Sequence, residues 1–279
     1  MMINKCYCMD NLELMKQIPD GYIDLIYCDI LYGTGRNFGD FQDLKPDRQI
    51  IEDFYIPRIK EMYRILKNTG SIYLQMDYRI VHWIRIIMDD IFGYDNFRNE
   101  IIWSYRRWTA TSNSFQNMHD NILFYSKSNT YIFNEQYEIT ERLKKAYKQG
   151  YNTNTTKTGK RQILITNKSK VKNIDLSIYD EVIYKEEKGT LINDVWNLGV
   201  LASNSKERVG YATQKPKALL ERIIKASSNE GDIVADFFCG SGTTGVVAKE
   251  LGRNYILCDI NPKAIKISEQ RLKEVNDND

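Results

Sequence analysis

The sequence predicts a doubly wound, mostly parallel α/β sheet of the Rossmann-like kind, interrupted by an inserted basic region. Three observations carry that prediction. Apolar strand-like runs alternate with helical patterns at both ends of the 279-residue chain. A glycine-rich turn stands between an apolar run and a helix near the C-terminus. Between the two ends, from about Asn129 to Val200, the alternation stops and the composition turns basic, Tyr-rich and Asn-rich.

The elements follow in order. Strand-like runs lie at Met2 to Cys8, Tyr22 to Cys28, Ser71 to Met76, Ile101 to Tyr105 and Asn121 to Tyr125. Ile80, Trp83, Ile84, Ile87, Met88 and Ile91 keep the spacing of an amphipathic helix. The middle stretch has only short apolar runs, such as Ile163 to Ile165. Alternation then returns with a helix carrying Leu219, Leu220, Ile223 and Ile224 on one face, and a strand from Ile233 to Phe238. The helix Thr243 to Leu251, the strand Tyr255 to Asp259 and a last helix from Pro262 complete the chain. Residues 1–128 and 201–279 are therefore expected to form one α/β domain, with 129–200 inserted as a recognition region.

Composition narrows the class. Apolar residues make up 42% and charged residues 27%, the balance of a globular protein. No run approaches the roughly 18 apolar residues of a membrane span, and the N-terminus lacks the apolar core of a signal peptide. Five cysteines, mostly inside apolar runs, read as reduced thiols of a cytoplasmic protein. With two histidines in the chain, a zinc site at Cys6 and Cys8 is disfavoured, and no metal is expected. The formal charge is only +2, but its distribution is uneven: Arg142 to Lys172 holds ten Lys or Arg and no Asp or Glu. Such an island is either a solvated loop or a phosphate-contacting surface, with Lys144, Lys145, Lys168 and Lys170 as candidate contacts.

Val234-Ala-Asp-Phe-Phe-Cys-Gly-Ser-Gly-Thr-Thr-Gly245 places Gly240 and Gly242 where the backbone can approach a ligand and a helix N-terminus offers free N–H groups. Asp259 ends the next strand, where a carboxylate can accept both hydroxyls of a ribose. The three glycines also fit a dinucleotide fingerprint. Two features favour S-adenosylmethionine instead. Asp236 before the turn would welcome a cation and repel a pyrophosphate. Only 20 residues follow Asp259, so the remaining strands must come from earlier in the chain. A tight turn with no ligand is the alternative.

Asp29-Ile-Leu-Tyr-Gly-Thr-Gly35 follows the run Tyr22 to Cys28, at the strand edge where open α/β sheets bind ligands. An exocyclic amine of adenine or cytosine is a poor nucleophile because its lone pair is delocalised into the ring. The Asp29 carboxylate and the Ile30 carbonyl, accepting its two N–H bonds, would localise that pair toward a methyl donor. Tyr32 stacked on the base would hold it in line. Alone, an Asp and a Tyr after a strand serve as turn cap and packing residue.

These segments together resemble the β-group of amino-specific DNA methyltransferases over nearly the whole chain. The family's Asp-Pro-Pro-Tyr is similar to Asp29-Ile30-Leu31-Tyr32, followed by an intact Gly-Thr-Gly. Gly70 to Gly93 and Phe97 to Trp103 are also similar, and Lys206 to Pro216 matches the motif preceding the cofactor turn almost letter for letter. The resemblance implies that Thr213, Lys215 and Pro216 help seat S-adenosylmethionine, with Asp10 near its adenine and Asp259 on its ribose. It further implies that Asp29, Asp236, Phe238, Gly240, Ser241, Gly242 and Thr243 line the cofactor. Ile30, Leu31 and Phe237 stand where the family has prolines, in a chain with just five.

The implied activity is methyl transfer to the exocyclic amine of a base flipped from double-stranded DNA, with N6 of adenine favoured by the Asp that heads the motif. Cytosine N4, an inactive DNA-binding partner of a restriction-modification system, and an RNA or small-molecule methyltransferase are the alternatives. The resemblance leaves room for a homodimer and for a cognate restriction endonuclease, and implies no membrane partner.

Overall fold

The computed structural model describes residues 3–39, 41–106, 113–139, 141–184 and 189–275, so Met2, the start of the first expected strand, lies outside the described residues. The chain begins β1 (Lys5–Cys8), α1 (Asn11–Met15), β2 (Ile23–Asp29), α2 (Arg48–Ile65), β3 (Leu66–Met76), α3 (Val81–Phe92), β4 (Phe97–Ser104) and β5 (His119–Ser126). It continues β6 (Tyr137–Glu138), α4 (Glu141–Gln149), β7 (Tyr151–Thr155), β8 (Arg161–Ile165), β9 (Glu181–Tyr184) and β10 (Thr190–Leu191). It ends β11 (Val195–Asn197), α5 (Lys217–Ser227), β12 (Ile233–Asp236), α6 (Thr243–Glu250), β13 (Asn254–Asp259) and α7 (Pro262–Glu274). The chain falls into two compact units, Met1–Asn134 with Asp194–Asp279, and Glu135–Asn193.

In the first unit eight strands form one sheet in the order β1-β13-β12-β2-β3-β5-β4-β11. β5 pairs antiparallel with β3 and β4, and every other neighbouring pair is parallel. This is the mostly parallel α/β sheet that the alternation predicts. Burial explains why β2, Ile-Asp-Leu-Ile-Tyr-Cys-Asp, sits centrally: all but its last residue are buried, as a strand covered on both faces requires. In α3 Ile84, Ile87 and Met88, three of the residues read at helical spacing, are buried, with Val81 and Phe92 beside them. The sequence reading named no helix over α2, which carries Pro57 in its interior; it buries Ile51, Tyr55, Ile59 and Met62 in the same core.

The chain leaves β2 for β3 on one side and leaves β12 for β13 on the other. Strand order thus reverses between β2 and β12, which are paired through Val234–Leu25 and Ala235–Ile26. In such a sheet the crevice beyond the carboxyl ends of these two strands is the ligand site. Because β5 runs the other way, its first residues reach that rim, with Asn121 opposite Met76 at the end of β3.

The second unit contains a three-stranded sheet, β7-β8-β9, antiparallel then parallel. Successive side chains of β8 point to opposite faces. Leu164 packs with Leu143 and Ala146 of α4, whereas Ile163 and Ile165 pack with Val171 on the other face.

Candidate active site

The turn after β12 is held from inside. Asp236 is buried, and its carboxylate accepts the Phe238 N–H at 3.0 Å and the Thr244 hydroxyl at 2.5 Å. Burial pushes its carboxyl up to about 7, against the pull of those two bonds. Gly240 and Gly242 adopt φ of +47° and +73°. A Cβ on Gly242 would sit 2.5 Å from Ser268 Oγ, so the turn and α7 approach too closely for any other residue. Buried Arg271 of α7 donates to Ser241 O at 2.7 Å and Thr243 Oγ1 at 2.9 Å.

Asp259 at the end of β13 accepts Gly240 N–H at 2.9 Å and Asn261 N–H at 2.8 Å. An ionised carboxylate has about four acceptor positions, so Asp259 keeps acceptor capacity toward a ligand hydroxyl. Asp10 caps α1 by accepting Leu12 N–H at 2.8 Å and pairs with Arg58 at 2.8 Å. Arg58 also donates to Asn11 Oδ1 at 2.7 Å, and Asn11 reaches the Phe237 carbonyl at 2.9 Å. Asp10 is therefore bound into a structural chain linking α1, α2 and the turn.

On the other side of the switch point, Asp29 ends β2. Lys215 Nζ donates to its Oδ2, and the Tyr32 hydroxyl lies 2.7 Å from its Oδ1. Burial raises the carboxyl above the usual carboxylate range, and the Lys215 charge works against that rise. Ile30 gives its N–H to Gln75 O at 3.1 Å, and Tyr55 OH donates to the Leu31 carbonyl at 3.0 Å. Among the described residues no donor reaches the Ile30 carbonyl. The next loop is fixed by Asp43, which accepts Gly33 N–H at 3.1 Å, Thr34 N–H at 2.8 Å and the Thr34 hydroxyl at 2.5 Å.

One cavity of about 1210 Å³ joins the two halves. Asp29, Ile30, Tyr32, Thr213 and Lys215 line it, and so do Asp10 and Asp259. Asp236, Phe238, Gly240, Ser241 and Thr243 complete the predicted lining. Pro216 and Gly242 are not part of it: Pro216 opens α5, and Gly242 opens α6 in a left-handed conformation. Among the described residues no cluster of three or more His, Cys, Asp or Glu could hold a metal, and no helix is long and apolar enough to cross a membrane.

Lys144, Lys145, Lys168 and Lys170 are all exposed in the second unit. The first two ride on α4, over the Leu164 face of β8; Lys168 lies over the Tyr184 ring, and Lys170 Nζ donates to the Lys148 carbonyl of α4 at 3.1 Å.

Sequence reasoning missed Gln75, Asp120, Asp43, Arg58 and Arg271. Asp120 is buried and accepts from Tyr105 OH at 2.6 Å, Gln75 Nε2 at 3.0 Å and Tyr32 OH at 2.9 Å. A polar pair, His119-Asp120, directly ahead of an apolar strand was the signal that could have marked it.

Residues 23–270 match the N6/N4 methyltransferase family model, described as DNA methylase. The chain is 29% identical over 272 residues to the type II methyltransferase M.HpaI of Haemophilus parainfluenzae, covering 97% of this chain and 74% of that one. It is 33% identical over 266 residues to the DNA adenine methyltransferase YhdJ of Escherichia coli K12, covering 94% and 80%. Among solved structures, the cytosine-N4-specific PvuII DNA methyltransferase superposes with a TM-score of 0.62 at 15% identity, covering 98% of this chain and 90% of that one. The M1.HpyAVI–SAM complex superposes at 0.58 with 18% identity, covering 96% and 98%.

Proposed function

Because the chain belongs to the N6/N4 DNA methylase family, we propose that it methylates N6 of adenine in double-stranded DNA, with S-adenosylmethionine as donor. The observation that carries this reading is the single cavity lined by Asp29 and Tyr32 on one side and by the glycine turn and Asp259 on the other. The likeness to an adenine methyltransferase at 33% identity supports adenine over cytosine. The order of the chain, with Asp29 to Tyr32 first and the glycine turn last, supports the β-group.

The residues present fit the donor. Gly240 lines the cavity at positive φ, Gly242 lets α7 close behind the turn, and Asp259 retains acceptor capacity for ribose hydroxyls. Asp236 gives that end of the cavity a buried acid suited to an amino-acid cation. The donor supplies an activated methyl group. The chain's own residues do the rest: Tyr32 stacks the flipped base, while Asp29 and the Ile30 carbonyl accept its amine hydrogens. We assign the basic second unit to target recognition, with its exposed lysines on DNA phosphates.

The test is incubation with labelled donor and mixed-sequence duplex DNA, followed by nucleoside identification. Label in N6-methyladenine is expected. Label in N4-methylcytosine, or binding of both ligands without transfer, would overturn the reading. Calorimetry on Asp259→Ala should show donor affinity weakened by about 1–3 kcal/mol, since two ribose hydroxyls lose their acceptor.

A further inference from the structure

Tyr32 stands between two carboxylates. Its hydroxyl oxygen lies 2.7 Å from Asp29 Oδ1 and 2.9 Å from Asp120 Oδ2. A phenol has one proton to give. The Tyr32 oxygen also receives Gln75 Nε2 at 3.2 Å, and that amide is oriented by Tyr27 OH on Gln75 Oε1 at 2.7 Å. With both carboxyls ionised, one of the two short contacts would join an oxygen to an anion with no hydrogen between them. The trio is therefore one proton short of satisfying both contacts, and the hydroxyl can shift an incoming proton from one carboxyl to the other.

We infer that Asp120 is a positioning residue that receives, through the Tyr32 hydroxyl, the proton released by the target amine. This rests on the amine-methylation reading above. As nitrogen takes the methyl group it keeps the electron pair of one N–H bond, and the proton passes to the Asp29 carboxylate. Asp29 hands a proton to the Tyr32 oxygen while the Tyr32 O–H proton moves to Asp120 Oδ2. Tyr32 ends as a neutral phenol, Asp29 as a carboxylate and Asp120 as a carboxylic acid. The proton can then leave from Asp120 to water, because Asp120 lines the same cavity.

The surroundings suit an acceptor at that place. Three donors, Tyr105 OH, Gln75 Nε2 and Tyr32 OH, converge on Asp120. The other charged or titratable groups facing the trio are Lys215 on Asp29, Tyr27 beneath Gln75, and the carboxylates Asp77 and Asp236. Lys215 touches Asp29 and makes no contact with Asp120 among the described residues, so its charge bears on the Asp29 end of the trio.

The experiment compares wild type, Asp120→Asn, Tyr32→Phe and the double variant in single-turnover methyl transfer at saturating donor and DNA. Tyr32→Phe keeps the stacking ring and removes only the hydroxyl. Each single variant is expected to slow transfer by about a hundredfold, with the double variant no slower than either. A second readout needs neither donor nor DNA: the carboxyl carbon of Asp29, followed by NMR in the free protein, should titrate in two steps in wild type and in one in either variant. A wild-type rate in Asp120→Asn, losses that multiply in the double variant, or a single Asp29 step that neither substitution moves would overturn the inference. A wild type that transfers no methyl would instead overturn the functional reading, and the carboxyl titration would still decide the proton bridge.

Discussion

Lys215 Nζ donates to Asp29 Oδ2, an ion pair closed across 186 residues of chain between the end of β2 and the segment that leads into α5. Both side chains are largely buried, so the pair is weakly screened by solvent. Burial drives the Asp29 carboxyl up, and Lys215 is the largest influence pulling it down.

Lys215→Met should therefore raise the Asp29 carboxyl further. If transfer needs the carboxylate, the acid limb of the rate profile must move to higher pH in this variant. The measurement is single-turnover transfer against pH at saturating donor, where the position of the limb is independent of its height. An unmoved limb would separate Lys215 from the chemistry.

The ion pair also marks how far the sequence could be read. Asp29, Tyr32 and the glycine turn were legible because each follows an apolar run whose carboxyl end had to reach the ligand edge. Asp120 was not, because it sits at the start of its strand. That start reaches the same edge only because β5 runs against its neighbours, a direction set by pairing with β3 and β4 that no local pattern encodes. α2 was hidden by Pro57, since an interior proline ordinarily ends a helical pattern. Arg58 and Arg271 carry no local pattern that marks them as interior, and only packing buries them. Asp10 carried a role implied by resemblance, and the structure adds a second one as helix cap and partner of Arg58.

Asp236 makes a prediction about stability. Its carboxyl is raised in the folded chain from 3.8 to about 7, so the folded state holds a proton that the unfolded chain gives up. The stabilising contribution is complete below 3.8 and is lost as pH climbs to about 7. Asp236→Asn, which cannot ionise, should lose less stability across that window than wild type. Urea midpoints at several pH values measure it. Parallel declines in the two proteins would mean that Asp236 is ionised throughout.

The second unit makes another. Lys144 and Lys145 are carried by α4, and Lys168 and Lys170 by the turn around Val171, whose Lys170 reaches the end of α4 through the Lys148 carbonyl. Neutralising all four together should lower DNA affinity and flatten its salt dependence by a log–log slope of about 0.9 per lost phosphate contact. An unchanged slope would return the island to a solvated surface.

The last prediction concerns the prolines that this chain lacks after Asp29. Ile30 does two things there that proline could not. Its N–H bonds the Gln75 carbonyl at 3.1 Å, and its side chain is buried in the core that also holds Ile26 and Cys28. The φ restriction of a proline is thus replaced by a hydrogen bond to the neighbouring strand and by packing. Tyr55 OH on the Leu31 carbonyl fixes the next peptide, which leaves the Ile30 carbonyl as the free acceptor. Ile30→Pro removes the N–H, strands the Gln75 carbonyl and empties part of the buried site, a loss of about 1–3 kcal/mol from the hydrogen bond alone. Transfer should slow by about tenfold or more if that loss falls on the reactive geometry. Leu31→Pro, at a half-buried position with no backbone N–H bond among the described residues, should leave the rate near wild type. Single-turnover methylation of saturating duplex DNA by the three proteins decides it, with donor binding measured separately. A faster Ile30→Pro would show that the turn needs its proline and that wild type works below its capacity. A slower one would mean that Ile30 and Gln75 together do the work of the missing ring.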